Sequence, residues 1–163
     1  MNFLAITVAA LVPMIIGFIW YNPKTFGNAW MQSAGLTEEK LKAGNMALIF
    51  GVSFLLSFLL AFSIQFMVIH QIHFGSMLFK TTFQDPNTEL GAMYKSIMDQ
   101  YGTAYRTFKH GALHGTIGGL FVVTPIIAMQ AMFERKSFKY IAINCGYWII
   151  CMLIMGGIVS AWM

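Results

Sequence analysis

Residues 46–72 read MALIFGVSFLLSFLLAFSIQFMVIHQI, a run without a charged side chain. It exceeds the ~20 residues that cross a ~30 Å hydrocarbon core as an α-helix. Lipid offers no hydrogen-bond partners, so such a segment must satisfy its own backbone, as a helix does. Three further segments, Phe3–Tyr21, Gly111–Met132 and Tyr140–Trp162, have the same character. The sequence therefore predicts an all-α, polytopic membrane protein. Its four transmembrane helices lie at about 3–21, 46–72, 111–132 and 140–162, in a single domain. Trp20, Tyr21, Tyr140 and Trp162 mark span ends, where aromatic rings suit the membrane–water interface.

Composition points the same way. The 163 residues are 58% hydrophobic and 10% charged, against roughly 25% charged in a soluble domain. A soluble globule this small has too much surface for its volume to hide that apolar content. The net charge of +4 is scattered. No basic stripe exists to track a phosphate backbone, so the expected partner is the lipid bilayer and no nucleic acid. The first segment lacks a basic leader and a small-residue cleavage site, and it reads as a retained helix. Cys145 and Cys151 sit ~9 Å apart along one helix axis and cannot bridge each other.

The loops carry their own signals. Asn22-Pro23 stops the first helix, and Phe26, Trp30 and Met31 suit a membrane surface. Thr37 is an N-cap followed by Glu38 and Glu39, where the helix dipole favours anions. The long second loop, 73–109, is broken by Asp85-Pro86-Asn87. After it Leu90, Met93, Tyr94, Ile97, Tyr101, Ala104, Tyr105 and Phe108 recur at helical spacing. This predicts an amphipathic helix over Thr88–Thr107, lying on the membrane or capping the bundle. The third loop, 133–139, is a tight connection between helices three and four.

Lys24, Lys40, Lys42, Arg135, Lys136 and Lys139 fall on the side of loops one and three; Lys80, Lys95, Arg106 and Lys109 fall on the other. Cytoplasmic loops carry the excess of Lys and Arg. The expected site is the cell membrane, with loops 22–45 and 133–139 cytoplasmic, and with both termini and loop 73–109 outside.

All 4 histidines lie near one membrane face. His70 and His73 are three apart at the end of helix two; His110 and His114 are four apart at the start of helix three. Both spacings put imidazoles on one helix face, which suits two nitrogens on one ion. Helices two and three are antiparallel, so the pairs share an end. Four neutral imidazoles suit zinc, copper or nickel, and a facing pair suits haem iron. Met67 and Met77 would add soft ligands for Cu(I). The alternative is four interfacial histidines bonded to water or headgroups, or a role in proton handling.

Gly111, Gly115 and Gly119, widened by Gly118, form a small-residue stripe that admits a close helix neighbour. Gly156, Gly157 and Ser160 repeat the pattern on helix four, where Asn144 and Tyr147 supply polar groups for interhelical bonds. Pro13 and Pro125 stand at matching depths in helices one and three and predict kinks in both. Matched breaks also occur at transporter sites. No hydrolase triad, metalloprotease motif or pair of intramembrane carboxylates appears. Enzymatic chemistry is therefore not expected, and the lack of an acidic residue within the spans argues against a pump.

Two stretches carry a family likeness. One is Gly17-Phe18-Ile19-Trp20-Tyr21-Asn22-Pro23 with Phe26-Gly27 and Trp30. The other runs from Lys109-His110-Gly111-Ala112-Leu113-His114-Gly115 through Pro125, Phe133-Glu134-Arg135-Lys136 and Gly146-Tyr147-Trp148 to Gly156-Gly157 and Trp162. Together they resemble the bacterial membrane family called domain of unknown function 1761. The resemblance implies a small four-helix membrane protein and carries no activity, cofactor or site residue.

Three functional readings follow. The first is a non-enzymatic membrane protein that packs with a second copy or a membrane partner through the Gly111–Gly119 face. The second is a protein that binds zinc, copper or haem at the histidine quartet. The third is a small oligomeric transporter built around the proline-containing helices. The orientation is checked by single cysteines in intact cells: one at Ser137 is expected to be shielded from an impermeant thiol reagent and one at Asn87 to react. The reverse pattern inverts the topology.

Overall fold

A computed structural model describes residues 2–78 and 84–163; Lys80, counted above on the outer side, lies outside the described residues. In chain order the helices are α1 (Phe3–Trp20), α2 (Gly27–Ala34), α3 (Glu38–Lys42), α4 (Met46–Val68), α5 (His70–Met77), α6 (Glu89–Tyr101), α7 (Phe108–Gly118), a π-helical turn (Gly119–Val123), α8 (Thr124–Phe133) and α9 (Phe138–Ala161). α7, the π turn and α8 run on as one rod, Phe108–Phe133, so four helices are long and apolar enough to cross a membrane. Each starts on a side-chain cap that satisfies an otherwise orphaned N–H. Asn2 accepts from Ala5, Asn45 from Leu48, Thr107 from His110, and Ser137 from Tyr140.

The structure departs from the sequence reading in three places. Helix two does not run through to Ile72. Ile69 is extended (φ −114°, ψ 96°), α4 ends at Val68 and α5 restarts at His70. The amphipathic helix stops at Tyr101. Beyond it, Tyr105 adopts a left-handed φ of 62°, and Thr107 must be free to cap α7. The two prolines are not equivalent. α1 passes through Pro13 without interruption, whereas Pro125 follows the π turn, where the Thr124 N–H reaches back to the Gly119 carbonyl. The Thr124 hydroxyl donates to the same oxygen at 2.9 Å. The π turn supplies the local re-bonding that a proline within a helix demands.

The core lies among three helices: Ile6, Ala9 and Ala10 of α1, Ala61 and Ile64 of α4, and Cys151 and Met155 of α9. The third rod joins α9 by a different route, through glycine. A Cβ on Gly111 would lie 2.1 Å from the Gly156 carbonyl oxygen, and one on Gly115 would lie 2.0 Å from that of Met152. One on Gly119 would come within 2.8 Å of the Ile149 Cα. Contact at this range gives dispersion attraction along the whole crossing, a main source of helix association in lipid. Large side chains such as Phe18, Leu55, Leu59, Phe121 and Ile126 point outward and are exposed. An apolar exterior of this extent suits hydrocarbon rather than water.

Aromatic residues lock the end where α1 and α8 finish and α9 begins. The Trp20 indole donates to the Ile143 carbonyl at 3.1 Å, and the Tyr21 hydroxyl bonds the Asn144 amide oxygen at 3.0 Å. Lys136 reaches the Ala34 carbonyl at 2.9 Å, tying loop three to loop one. Gly27 is needed where the chain doubles back, since a Cβ there would meet the Tyr21 carbonyl oxygen at 2.3 Å.

The α7–α9 contact predicts that Gly115→Ala lowers the melting temperature in detergent, at an overpacking cost of about 1–3 kcal/mol. Gly51→Ala, on α4 with nothing within 4 Å of the added methyl, is expected to leave melting unchanged or to raise it slightly. Equal behaviour of the two variants would contradict the packing.

Candidate metal centre

At the opposite end of the bundle, α4 and α9 finish and α1 and α7 begin. The break at Ile69 decides the local chemistry. It frees carbonyls of the last turn of α4, because the ladder of α4 ends with the Ile69 N–H on the Gln65 carbonyl and α5 starts a new one at His70. The His73 Nε2 turns back onto one of them, the Phe66 carbonyl. A carbonyl only accepts, so that nitrogen carries the hydrogen. His73 is thereby spent as a donor to backbone.

His70, the first residue of α5, points instead towards α7. Its Nε2 lies 2.8 Å from the Nε2 of His110. Its ring stands 5.1 Å from that of His114, and the His110 and His114 rings are 4.5 Å apart, centroid to centroid. The ligand-capable nitrogens of His70, His110 and His114 all fall within 4.8 Å of one another. The sequence pattern of four histidines therefore resolves into three that meet and one, His73, that does not. The reason is the broken helix: the three-residue spacing of His70 and His73 is kept in α5, but a freed carbonyl competes for the second imidazole. Met67 is also drawn elsewhere, its methyl group packing beside Gly118, and Met77 is exposed.

On a tetrahedral ion, bonds of about 2.0–2.1 Å hold the ligand nitrogens about 3.4 Å apart, so the wider nitrogen pairs, now within 4.8 Å, must close by as much as about 1.4 Å. The His70–His110 pair has to open from hydrogen-bond distance and give up the proton between its nitrogens. Both movements are within reach of side-chain rotation. His70 is exposed and its two partners are half-buried, so an ion has access from the membrane surface. Three imidazoles leave a fourth position for water or another ligand.

Tyr105 was read from the sequence as one turn of an amphipathic helix, and its place here was not foreseen. Its ring lies 5.0 Å from that of His110 and 6.3 Å from that of His70. It closes one side of the cluster from a left-handed backbone, a conformation that costs a residue with a Cβ of order 1–3 kcal/mol. The signal available in the sequence was the Gly102-Thr103 pair ahead of it and the Thr107 cap behind.

The glycine stripe holds this site in place. Gly111 and Gly115 alternate with His110 and His114 along α7, so seating the glycines on α9 fixes where the imidazoles stand. The stripe was expected to receive a second copy or a partner. It is filled by α9 of the same chain.

These features define a four-helix, membrane-type protein with a histidine cluster at one end. The chain belongs to the family described as protein of unknown function (DUF1761), which it matches over residues 4–160. No curated protein and no solved structure matches it.

Proposed function

We propose that this chain is a non-enzymatic membrane protein that binds one transition-metal ion, zinc or copper, through His70, His110 and His114. The observation that carries this reading is the convergence of three imidazoles from two separate chain segments, with their nitrogens within 4.8 Å. Imidazole is a good ligand for both metals. Haem fits less well: two axial nitrogens on iron must leave room for the porphyrin plane, and His70 and His110 are at hydrogen-bond distance. A partner-binding reading loses its surface where α9 covers Gly111, Gly115 and Gly119. A transporter reading loses its paired breaks, because only Pro125 adjoins an irregular turn. The excess of Lys and Arg on loops 22–45 and 133–139 supports a reading in which those loops are cytoplasmic and the histidine end is outside.

Protein purified without a histidine tag and exposed to zinc or copper is expected to retain about one ion per chain. His114→Ala should weaken retention at least ~10-fold, a loss that even changes behind the ligands produce at metal sites. His73→Ala should leave it intact. Only neutral imidazole ligates, so protonation competes with the metal. Retention is expected to weaken as pH falls and to recover as it rises. Elemental analysis checks all three; a reading near zero after added metal would sink the proposal.

A further inference from the structure

A cavity of about 620 Å³ opens at the histidine end, beside the metal centre but lined by other residues. Its walls come from the start of α1, the α4–α5 break, the turn after α6 and the end of α9. Phe3, Ile6 and Ile72 make it largely apolar. Gln65, Gln71 and Arg106 line it, with Asn2 and Thr103. Gln65 is 1% exposed, and its amide nitrogen has no partner among the described residues. Gln71 spends its amide nitrogen on the Tyr101 and Ala104 carbonyls, at 3.1 and 2.9 Å, and leaves its buried oxygen unbonded. Arg106 caps α9, its Nε donating to the Ser160 carbonyl at 2.7 Å and its Nη2 to that of Trp162 at 3.1 Å. Among the described residues the ion pairs are Lys42–Glu38 and Lys95–Asp99, so no carboxylate neutralises Arg106.

A buried amide left unbonded costs stability, so a group of this kind in the wall of a cavity points to something that completes it. The unmet needs are specific. A free donor at Gln65 and an unneutralised cation at Arg106 call for an anion. A free acceptor at Gln71 calls for a hydroxyl or ammonium hydrogen. Apolar walls call for hydrocarbon. We infer that this cavity binds a phosphate-headed ligand that also carries a hydrogen-bond donor, with its phosphate towards Gln65 and Arg106 and its donor towards Gln71. A glycerophospholipid meets all the requirements, entering from the leaflet with its acyl portion along Phe3, Ile6 and Ile72. A soluble glycerol phosphate supplies the same head without the chains.

The full-length protein in phosphatidylcholine nanodiscs provides the test. Adding phosphatidylglycerol to the discs should raise the melting temperature by roughly 3 °C or more, the shift expected when a ligand occupies the folded state alone. One such lipid per chain should survive into native mass spectra. Glycerol 3-phosphate added to phosphatidylcholine discs separates the sources: no shift assigns the site to lipid, and an equal shift assigns it to the soluble phosphate. Gln65→Leu removes the unbonded amide without touching a charge or a cap, so it should fold at least as well as wild type and lose the shift. Gln65→Met, unbranched and of similar length, serves if leucine packs badly. Metal retention by either variant should match wild type, which keeps this result separate from the histidine site. The inference is overturned if neither compound shifts the melting of wild type, or if the phosphatidylglycerol shift persists undiminished in the Gln65 variants.

Discussion

The α7–α9 crossing sets the rest of the structure. The carbonyl oxygens of Gly156 and Met152 occupy the space that a methyl group would need on Gly111 and Gly115, and the Gly111 carbonyl does the same to Gly156. In lipid the tails compete as well as leucine does for apolar surface, so burying large side chains gives a helix pair little advantage. Backbone-to-backbone proximity does, because it multiplies dispersion contacts and costs no rotamer freedom. This is why the third rod contributes almost no large side chain to the core and is nonetheless held. The crossing also places His110 and His114 beside the end of α4, and brings Arg106 and Tyr105 onto the last turn of α9, where the Ser160 hydroxyl reaches the Tyr105 carbonyl at 3.4 Å.

The second constraint is hydrogen-bond accounting at Ile69. A helix that breaks near a membrane surface exposes carbonyls that must find donors. His73 meets this need by donating to the Phe66 carbonyl of α4, while Gln71 bonds elsewhere, to the Tyr101 carbonyl at the end of α6 and the Ala104 carbonyl beyond it. What is left over at the break, the His70 imidazole and the Gln65 amide, faces two neighbouring sites.

The spans were legible because hydrophobicity and length are local properties, and each helix could be read without its neighbours. The glycine stripe was legible as a contact surface for the same reason. Its occupant was not, since nothing in Gly111, Gly115 and Gly119 distinguishes α9 from another chain. The histidine cluster was three-quarters legible: antiparallel helices and i,i+3 or i,i+4 spacing bring the pairs to one end, but the loss of His73 depends on a break that no proline or glycine announces. Ile69 has none of the usual signals, and the pattern 46–72 reads as unbroken helix. Tyr105 was hidden because its helical spacing from Tyr101 and Phe108 holds in sequence while the backbone turns left-handed between them.

The two ends of the bundle are built differently. At the Trp20 end, tilted aromatic rings pack with centroids 4.5–5.1 Å apart, and the named polar groups of Trp20, Tyr21, Asn144 and Lys136 are bonded. At the histidine end a helix is broken, two buried amides are incompletely bonded and three imidazoles crowd together; a left-handed residue occurs at both ends, Tyr105 here and Arg135 at the other. Each feature costs stability on its own, and natural proteins keep such departures mainly where a site requires them. The unbonded amides and the crowded imidazoles gather at the end of the bundle that carries the Ile69 break, where the proposed sites lie. His70 and Gln71 are consecutive, so the same short segment that presents an imidazole to the cluster presents an amide to the cavity, and the position of that segment is common to both.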